Sequence, residues 1–331
     1  MTRSSNTHSR GAGTGAVSKD EAALLEAAAH LTERDRYLLR MVGEHRVLTT
    51  DQLCALGFGN LTTARHRLTV LVRLGLLRRF RPHPETGSAP WHYVLGPVGA
   101  ALLGAEDRDE KKWMPQARAD RVLGLERSQR LGHMTGRNWF FVALVTRARG
   151  GDGELRDWLN ETGAARHVTS GLLMAPAAWD RLPHPDGAGT WAEDHREVAF
   201  LLEYDTGTED LARLAAKLDG YAVLASVLAD AQRMMPVLLF CFGSPRREQA
   251  ARRALTATRD SRAVRIATAA LDPRVTCPAG PVWLPLTGGT GRQARLIDLD
   301  NLMPDPWRVQ REQGGWERRE QEHRELGQGR R

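Results

Sequence analysis

The chain has 331 residues, enough for two domains with separate cores, and its 41% hydrophobic content fits a soluble globular protein. A net charge of +7 favours an anionic partner, of which nucleic acid is the commonest. Three distant cysteines (Cys54, Cys241, Cys277) exclude a disulfide framework or zinc ribbon, and no stretch approaches the ~20 apolar residues needed to span a bilayer.

In chain order, residues 1–28 are rich in Ser, Thr, Gly and Arg without an apolar signal core. They predict a disordered arm on a cytoplasmic protein that does not enter membranes. Residues 29–104 then predict three helices and a hairpin. Thr32 caps the first helix, with Leu38, Leu39 and Val42 as its apolar stripe; a second starts at Thr49-Thr50-Asp51-Gln52 and ends near Gly57. The third opens at Leu61-Thr62-Thr63 and buries Ala64, Leu68 and Leu71, leaving Thr62, His66, Thr69 and Arg73 on the opposite face beside Arg65 and Arg67. Strands at Leu76–Phe80 and Trp91–Leu95 flank a Pro- and Gly-rich loop.

This order describes a winged helix-turn-helix whose third helix enters the major groove of double-stranded DNA. Thr62, Thr63 and His66 are positioned for base edges, Arg65 and Arg67 for guanine, and Arg73, Arg78, Arg79 and Arg81 for phosphate. Between Gln52 and Pro84 these six arginines stand without a single Asp or Glu. The alternative is a module for protein contacts with a solvated basic face.

Residues 105–130 are dense in mixed charge and predict a linker. From 131 to 290 the pattern alternates: a helix over about Thr135–Arg149, a strand near Glu154–Leu159, a loop-rich region with a strand near Leu172–Met174, and a buried strand at Val198–Asp205. A helix over about Glu209–Asp230, a strand at Val237–Phe242, a helix at Arg246–Arg259 and a strand at Val264–Thr268 complete it. The fold class is therefore α+β: the winged helix followed by an α/β domain with a mixed central sheet. Residues 291–331 read as a charged tail.

Within that domain Pro185-Asp186-Gly187 is a turn bearing one carboxylate. Glu203 and Asp205 alternate with Tyr204 and so share one face of their strand. Two carboxylates from different strands with a nearby cation suit Mg²⁺ held against a phosphate. Lys217 follows on the next helix. If Leu211, Leu214, Leu218, Ala222 and Ala225 form its buried stripe, Lys217 lies roughly 80 to 90° from the centre of that stripe. From there it reaches either the carboxylates or solvent. Asp186 as a turn residue and Asp205 as a strand-end acid are the plainer readings.

His133, Asn138, Trp158, Glu161, Pro185-Asp186-Gly187, the run Phe200-Leu-Leu-Glu203-Tyr-Asp205-Thr-Gly-Thr208, Lys217 and Tyr221 together resemble the actinobacterial replication-relaxation family of plasmids and integrative elements. The resemblance covers roughly residues 30 to 290. It implies a restriction-endonuclease-like domain of the PD-(D/E)xK type, with Asp186, Glu203, Asp205 and Lys217 as catalytic residues. Asp186, Glu203, Asp205 and Glu161 would be the metal ligands, and Mg²⁺ the cofactor unless the domain is degenerate. The position two after Glu203, lysine in the nuclease pattern, is Asp205 here, so either Lys217 supplies the cation or hydrolysis has been lost. Implied partners are plasmid replication or transfer proteins, and a homodimer is compatible with the pattern.

Overall fold

The computed structural model describes residues 28–82, 89–172, 182–286 and 291–309. The expected arm up to residue 27, the hairpin loop over 83–88, most of the strand expected near Leu172–Met174 and the tail beyond 309 lie outside the described residues. The chain is a mixed α+β protein with two sheets, one antiparallel with strand order β1-β3-β2 and one mixed with order β4-β5-β6-β7-β8-β9.

The first part comprises α1 (Glu33–His45), β1 (Leu48–Thr49), α2 (Thr50–Gly57), α3 (Leu61–Arg73), β2 (Leu77–Phe80) and β3 (His92–Leu95). Its helix starts follow from local chemistry. Thr32 and Asp35 form a capping box on α1, Thr49 and Gln52 form one on α2, and the Asn60 side chain accepts from the Thr63 amide. Leu38, Leu39, Val42, Leu53, Leu56, Leu68 and Leu71 close one core. β1 has no signature in the sequence because two residues carry no periodicity; it is made by pairing Leu48 with Tyr93 and Thr49 with His92.

The expected linker over 105–130 is largely helical, taking in the end of α4 (Pro97–Asp107), α5 (Glu110–Trp113) and α6 (Ala119–Glu126). Its mixed charge is satisfied by pairing rather than by solvent alone. Asp107 accepts from Arg40, Lys112 and the Trp113 indole, and Trp113 is 1% exposed within the first core.

The second part runs α7 (Leu131–Arg149), β4 (Glu154–Asn160), α8 (Glu161–Thr169), β5 (Gly187–Glu193), β6 (Arg196–Asp205), α9 (Leu211–Asp230), β7 (Val237–Phe242), α10 (Pro245–Ala257), β8 (Ile266–Ala270), β9 (Leu284–Pro285) and α11 (Leu299–Leu302). β4, β5 and β6 form an antiparallel meander; β6, β7 and β8 run parallel through the α9 and α10 crossovers. Alternation along the strands builds two apolar layers. Phe200, Leu202 and Leu239 pack with Phe140, Phe141 and Leu144 of α7, while Leu201, Leu238 and Phe240 pack with Leu214, Leu218, Tyr221 and Leu255 on the other face.

Two elements depart from expectation. β5, read only as a turn at its start, is a full strand whose glycines hide it from β propensity. A Cβ on Gly189 would come within 2.7 Å of the Phe200 ring and 2.8 Å of the Asp157 carbonyl, so the close approach of three strands requires glycine there. The charged tail, expected from residue 291, begins later: Leu296, Ile297, Leu299 and Met303 are buried in the same cluster as Phe140 and Trp283.

The two parts meet along α7. Val142 is buried in the first core, the Gln52 side chain donates to the Thr135 carbonyl at 2.8 Å, and Asn138 Nδ2 donates to the Val47 carbonyl at 2.8 Å. His45 stacks on Trp158 with ring centroids 3.9 Å apart. Burial holds His45 well below its ordinary pKa, so this ring is neutral. Asn138 is fully buried, so Asn138→Ala leaves the Val47 carbonyl and Arg137 without their partner. Urea denaturation should show a loss of roughly 2 to 3 kcal/mol; an unchanged midpoint would show that this seam is not held by its hydrogen bonds.

Candidate functional site

The end of β6 and the turn before β5 bring Asp186 beside Glu203. Asp186 Oδ2 accepts from the Tyr204 backbone amide at 2.8 Å and from His133 Nε2 at 3.1 Å. His133 reaches it because α7 lies close on β6; Gly136 permits this, since a Cβ there would meet the Tyr204 ring at 2.5 Å. Glu203, 4% exposed, is held by α9: Lys217 Nζ donates to Oε2 at 2.9 Å, and the Tyr221 hydroxyl donates to Oε1. Lys217 and Tyr221 are four residues apart and therefore adjacent on one helix face. The same Nζ lies 3.0 Å from Glu209 Oε2.

Lys217 thus turns toward the carboxylates, a position set by how α9 lies. Its buried residues include Leu214, Leu218, Tyr221 and Ala225, whereas Leu211 and Ala222 are only half-buried. The buried face is rotated from the expected stripe, and Lys217 sits nearer the sheet. Asp186, Glu203, Asp205, Glu209 and Lys217 line one pocket of about 80 Å³, which lies beside a cleft of about 550 Å³ also lined by Asp186, Glu209 and Lys217.

The electrostatics separate the two central carboxyls. Burial, reinforced by the negative charge of Asp186, raises the Glu203 pKa to about 7 against the pull of Lys217 and Tyr221. Burial would also raise Asp186, but the hydrogen bond and charge of His133 and the Tyr204 amide outweigh it and keep Asp186 below its ordinary value. For Lys217 burial acts downward, and the Glu203 charge and hydrogen bonds to Glu203 and Glu209 overcome it, so the ammonium is firmly protonated. His133 follows the same logic: burial lowers its pKa, Asp186 raises it, and the net shift is upward.

The other two expected ligands do not join this pair. Asp205 Oδ2 accepts from Arg247 Nε at 3.1 Å and Nη2 at 2.8 Å, and Oδ1 accepts from the Gly207 amide. Its charge is already neutralised at the start of α10. Glu161 lines the larger cleft. Among the described residues no group of three or more His, Cys, Asp or Glu side chains is arranged to hold a metal ion. Of the four carboxylates expected as ligands, Asp186, Glu203 and Asp205 line the small pocket and Glu161 lines the larger cleft. Glu209 and Arg247 carry no expected role in this network, whereas Tyr221 is among the residues that carry the resemblance, without a role assigned to it.

On the first part of the chain, Thr62, Thr63, Arg65, His66 and Arg73 form an exposed face of α3. Arg67 is withdrawn from it. Its guanidinium binds the buried Asp35 through Nε at 3.1 Å and Nη2 at 2.7 Å, and donates also to the His30 carbonyl. Arg78 is likewise turned inward, donating to the Ala117 carbonyl at 3.0 Å. Arg79 and Arg81 both lie over the Trp91 ring, at 4.3 and 4.4 Å. With Arg65 and Thr69 they line a groove of about 550 Å³ between α3 and the hairpin.

Fold and site define a mixed α+β protein in two parts: a basic helical module docked on a mixed-sheet domain that carries a carboxylate–lysine pocket. The chain belongs to the replication-relaxation family, whose profile matches residues 39–238 and so spans α1 to β7, including Asp186, Glu203 and Lys217. Neither a curated protein nor a solved structure matches it. Among the described residues no helix is long and apolar enough to cross a membrane.

The raised Glu203 pKa has a definite sign in stability. Because the folded value lies above the ordinary 4.5, the stabilisation of the protonated carboxyl is full below about pH 4.5 and is lost as pH rises through about 7. His133 loses stabilisation in the same direction at higher pH, so the comparison must be between variants. Urea midpoints of wild type should fall more steeply between pH 5 and 8 than those of Glu203→Gln. Parallel curves would mean that Glu203 titrates normally.

Proposed function

We propose that this protein binds double-stranded DNA of a plasmid or mobile element through its first part, read as a winged helix-turn-helix, and nicks DNA with a nuclease-like second part. The convergence of Asp186, Glu203 and Lys217 on one pocket carries this reading, because Lys217 from α9 brings a cation to Glu203 although the strand position two residues on is Asp205 rather than lysine. The DNA reading is supported by the exposed face of Thr62, Thr63, Arg65, His66 and Arg73 and by the Arg79 and Arg81 pair on Trp91. Arg67 and Arg78 serve the fold of this module instead.

Mg²⁺ fits the donor set in a sparse form. Asp186 Oδ1 makes no hydrogen bond among the described residues, and the repulsion between Asp186 and Glu203 is what a cation would relieve. Magnesium commonly takes one or two carboxylates and completes its shell with water. When bound it would supply a polarised phosphate and a more acidic water. Lys217 has three N–H donors, two of them engaged by Glu203 and Glu209, which leaves one for a phosphate oxygen. His133 holds Asp186 ionised, and Tyr221 with Lys217 fixes the Glu203 carboxyl.

The competing reading, a regulator with a silent pocket, is favoured by Asp205, whose charge is consumed by Arg247. Supercoiled plasmid incubated with the full chain decides between them. Mg²⁺-dependent nicking lost in Asp186→Ala and reduced by at least a hundredfold in Lys217→Ala supports the enzyme; no nicking with Mg²⁺ or Mn²⁺ over many substrates establishes the regulator. Independently, Arg65→Ala with Arg73→Ala should weaken duplex binding and lower its salt slope by about 2. An unchanged gel shift would remove α3 from the interface.

A further inference from the structure

The larger cleft beside the carboxylate pocket is lined from both parts of the chain, and several of its cations have no ion pair among the described residues. Arg137 on α7 is 6% exposed, yet no carboxylate lies within ion-pair distance of it among the described residues. Its guanidinium is held by neutral oxygens only: Nε and Nη2 donate to Asn138 Oδ1, and Nη1 donates to the Asp186 carbonyl at 3.2 Å. Buried charges are ordinarily paired. Burial lowers the Arg137 pKa, Asp186 and Glu161 oppose that, and the nearby Arg46 adds to it.

Arg46 itself is exposed in the same cleft and has no ion pair among the described residues. It occupies a backbone conformation that side-chain-bearing residues rarely adopt. With φ 69° and ψ −41°, and the Val47 amide donating to the His45 carbonyl at 2.9 Å, it is the centre of a positive-φ γ-turn. Glycine would occupy this position with less strain, so arginine stands there against its own backbone preference. The turn is fixed by Asn138, which donates to both the His45 and Val47 carbonyls and accepts from Arg137. Arg213 on α9 and Arg130, just before α7, line the same cleft, also without an ion pair among the described residues.

We propose that Arg46 and Arg137, assisted by Arg213, form a phosphate site that holds an unpaired DNA strand as it passes into the carboxylate pocket. This rests on the second part being a module that acts on DNA. The strand is single because the carboxylates lie at the floor of a narrow recess, with Glu203 only 4% exposed, opening from a cleft of about 550 Å³ between the two parts. A backbone phosphate on a flexible strand reaches such a floor, whereas paired strands present theirs on the outside of a broad rigid cylinder. A cationic groove that tracks the backbone is the usual means of holding a single strand. The first part thus has two DNA surfaces: the exposed face of α3 for duplex, and Arg46 for the strand separated from it.

The test is fluorescence anisotropy of a labelled single-stranded oligodeoxynucleotide with the full chain in EDTA, so that binding is read whether or not the pocket hydrolyses. Wild type should bind, and Arg46→Gly and Arg213→Ala should each raise Kd roughly tenfold and lower the single-strand salt slope by about 0.7. Arg46→Gly also separates binding from folding. Glycine relieves the γ-turn, so its thermal midpoint should equal or exceed that of wild type while binding falls. Failure of wild type to bind the strand, or equal binding by both variants, overturns the site. Strand binding without nicking under any metal would sink the hydrolytic reading alone.

Discussion

Asn138 is the side chain on which the arrangement depends. It is fully buried where the two parts of the chain meet, and its amide serves both of them at once. Nδ2 closes the His45–Val47 turn of the first part, and Oδ1 receives the Arg137 guanidinium, which in turn donates to the carbonyl of Asp186. A buried amide in this position has no water to fall back on, so each partner constrains the others. The consequence is that the turn bearing Asp186, just before β5, and the helix-turn leading to β1 are held in one frame through α7. Gln52 to Thr135 and Arg149 to Ala55 extend that frame along the helix.

The pocket shows how such a frame allows a buried charge. Glu203 follows Phe200, Leu201 and Leu202 into the sheet, and an isolated carboxylate there would be too costly to ionise. Lys217 and Tyr221, adjacent on α9, make up part of the lost hydration. The balance leaves Glu203 near neutrality while Asp186, with a backbone amide and His133, stays ionised. Two carboxyls pushed apart in pKa by their surroundings is the pattern that assigns different roles to chemically similar groups. Asp205 illustrates the opposite outcome: two residues further along the same strand face, it meets Arg247 and becomes a structural acid.

Much of this was legible because the sequence carries strong periodic signals where elements are long. The three helices of the first part, the strands β6 and β7 and the helix α9 follow from apolar spacing and from caps such as Thr32 and Thr49. The shared face of Glu203 and Asp205 follows from strand alternation. What was not legible depended on packing. β5 is glycine-rich because neighbouring strands and Phe200 leave no room for side chains, and β1 exists only through its partner β3. The linker of 105–130 and the start of the tail read as polar because the few residues that anchor them, Trp113, Leu296 and Ile297, are outnumbered by surface charges. Arg67 could not be told from its exposed neighbours, since its partner Asp35 lies 32 residues earlier.

The negative charges of the pocket are met by cations of the chain itself. Three or four ionised carboxyls around one point repel strongly unless a cation is always present, and the protein would then fold only with its metal. Here Arg247 removes Asp205 from that sum, Glu161 lies toward the cleft, and Lys217 contributes a permanent positive charge. The recess thus carries its own counter-charges, and Arg46, Arg137 and Arg213 line the cleft beside it. On the proposed reading, an anionic strand would meet these cations before the carboxylates.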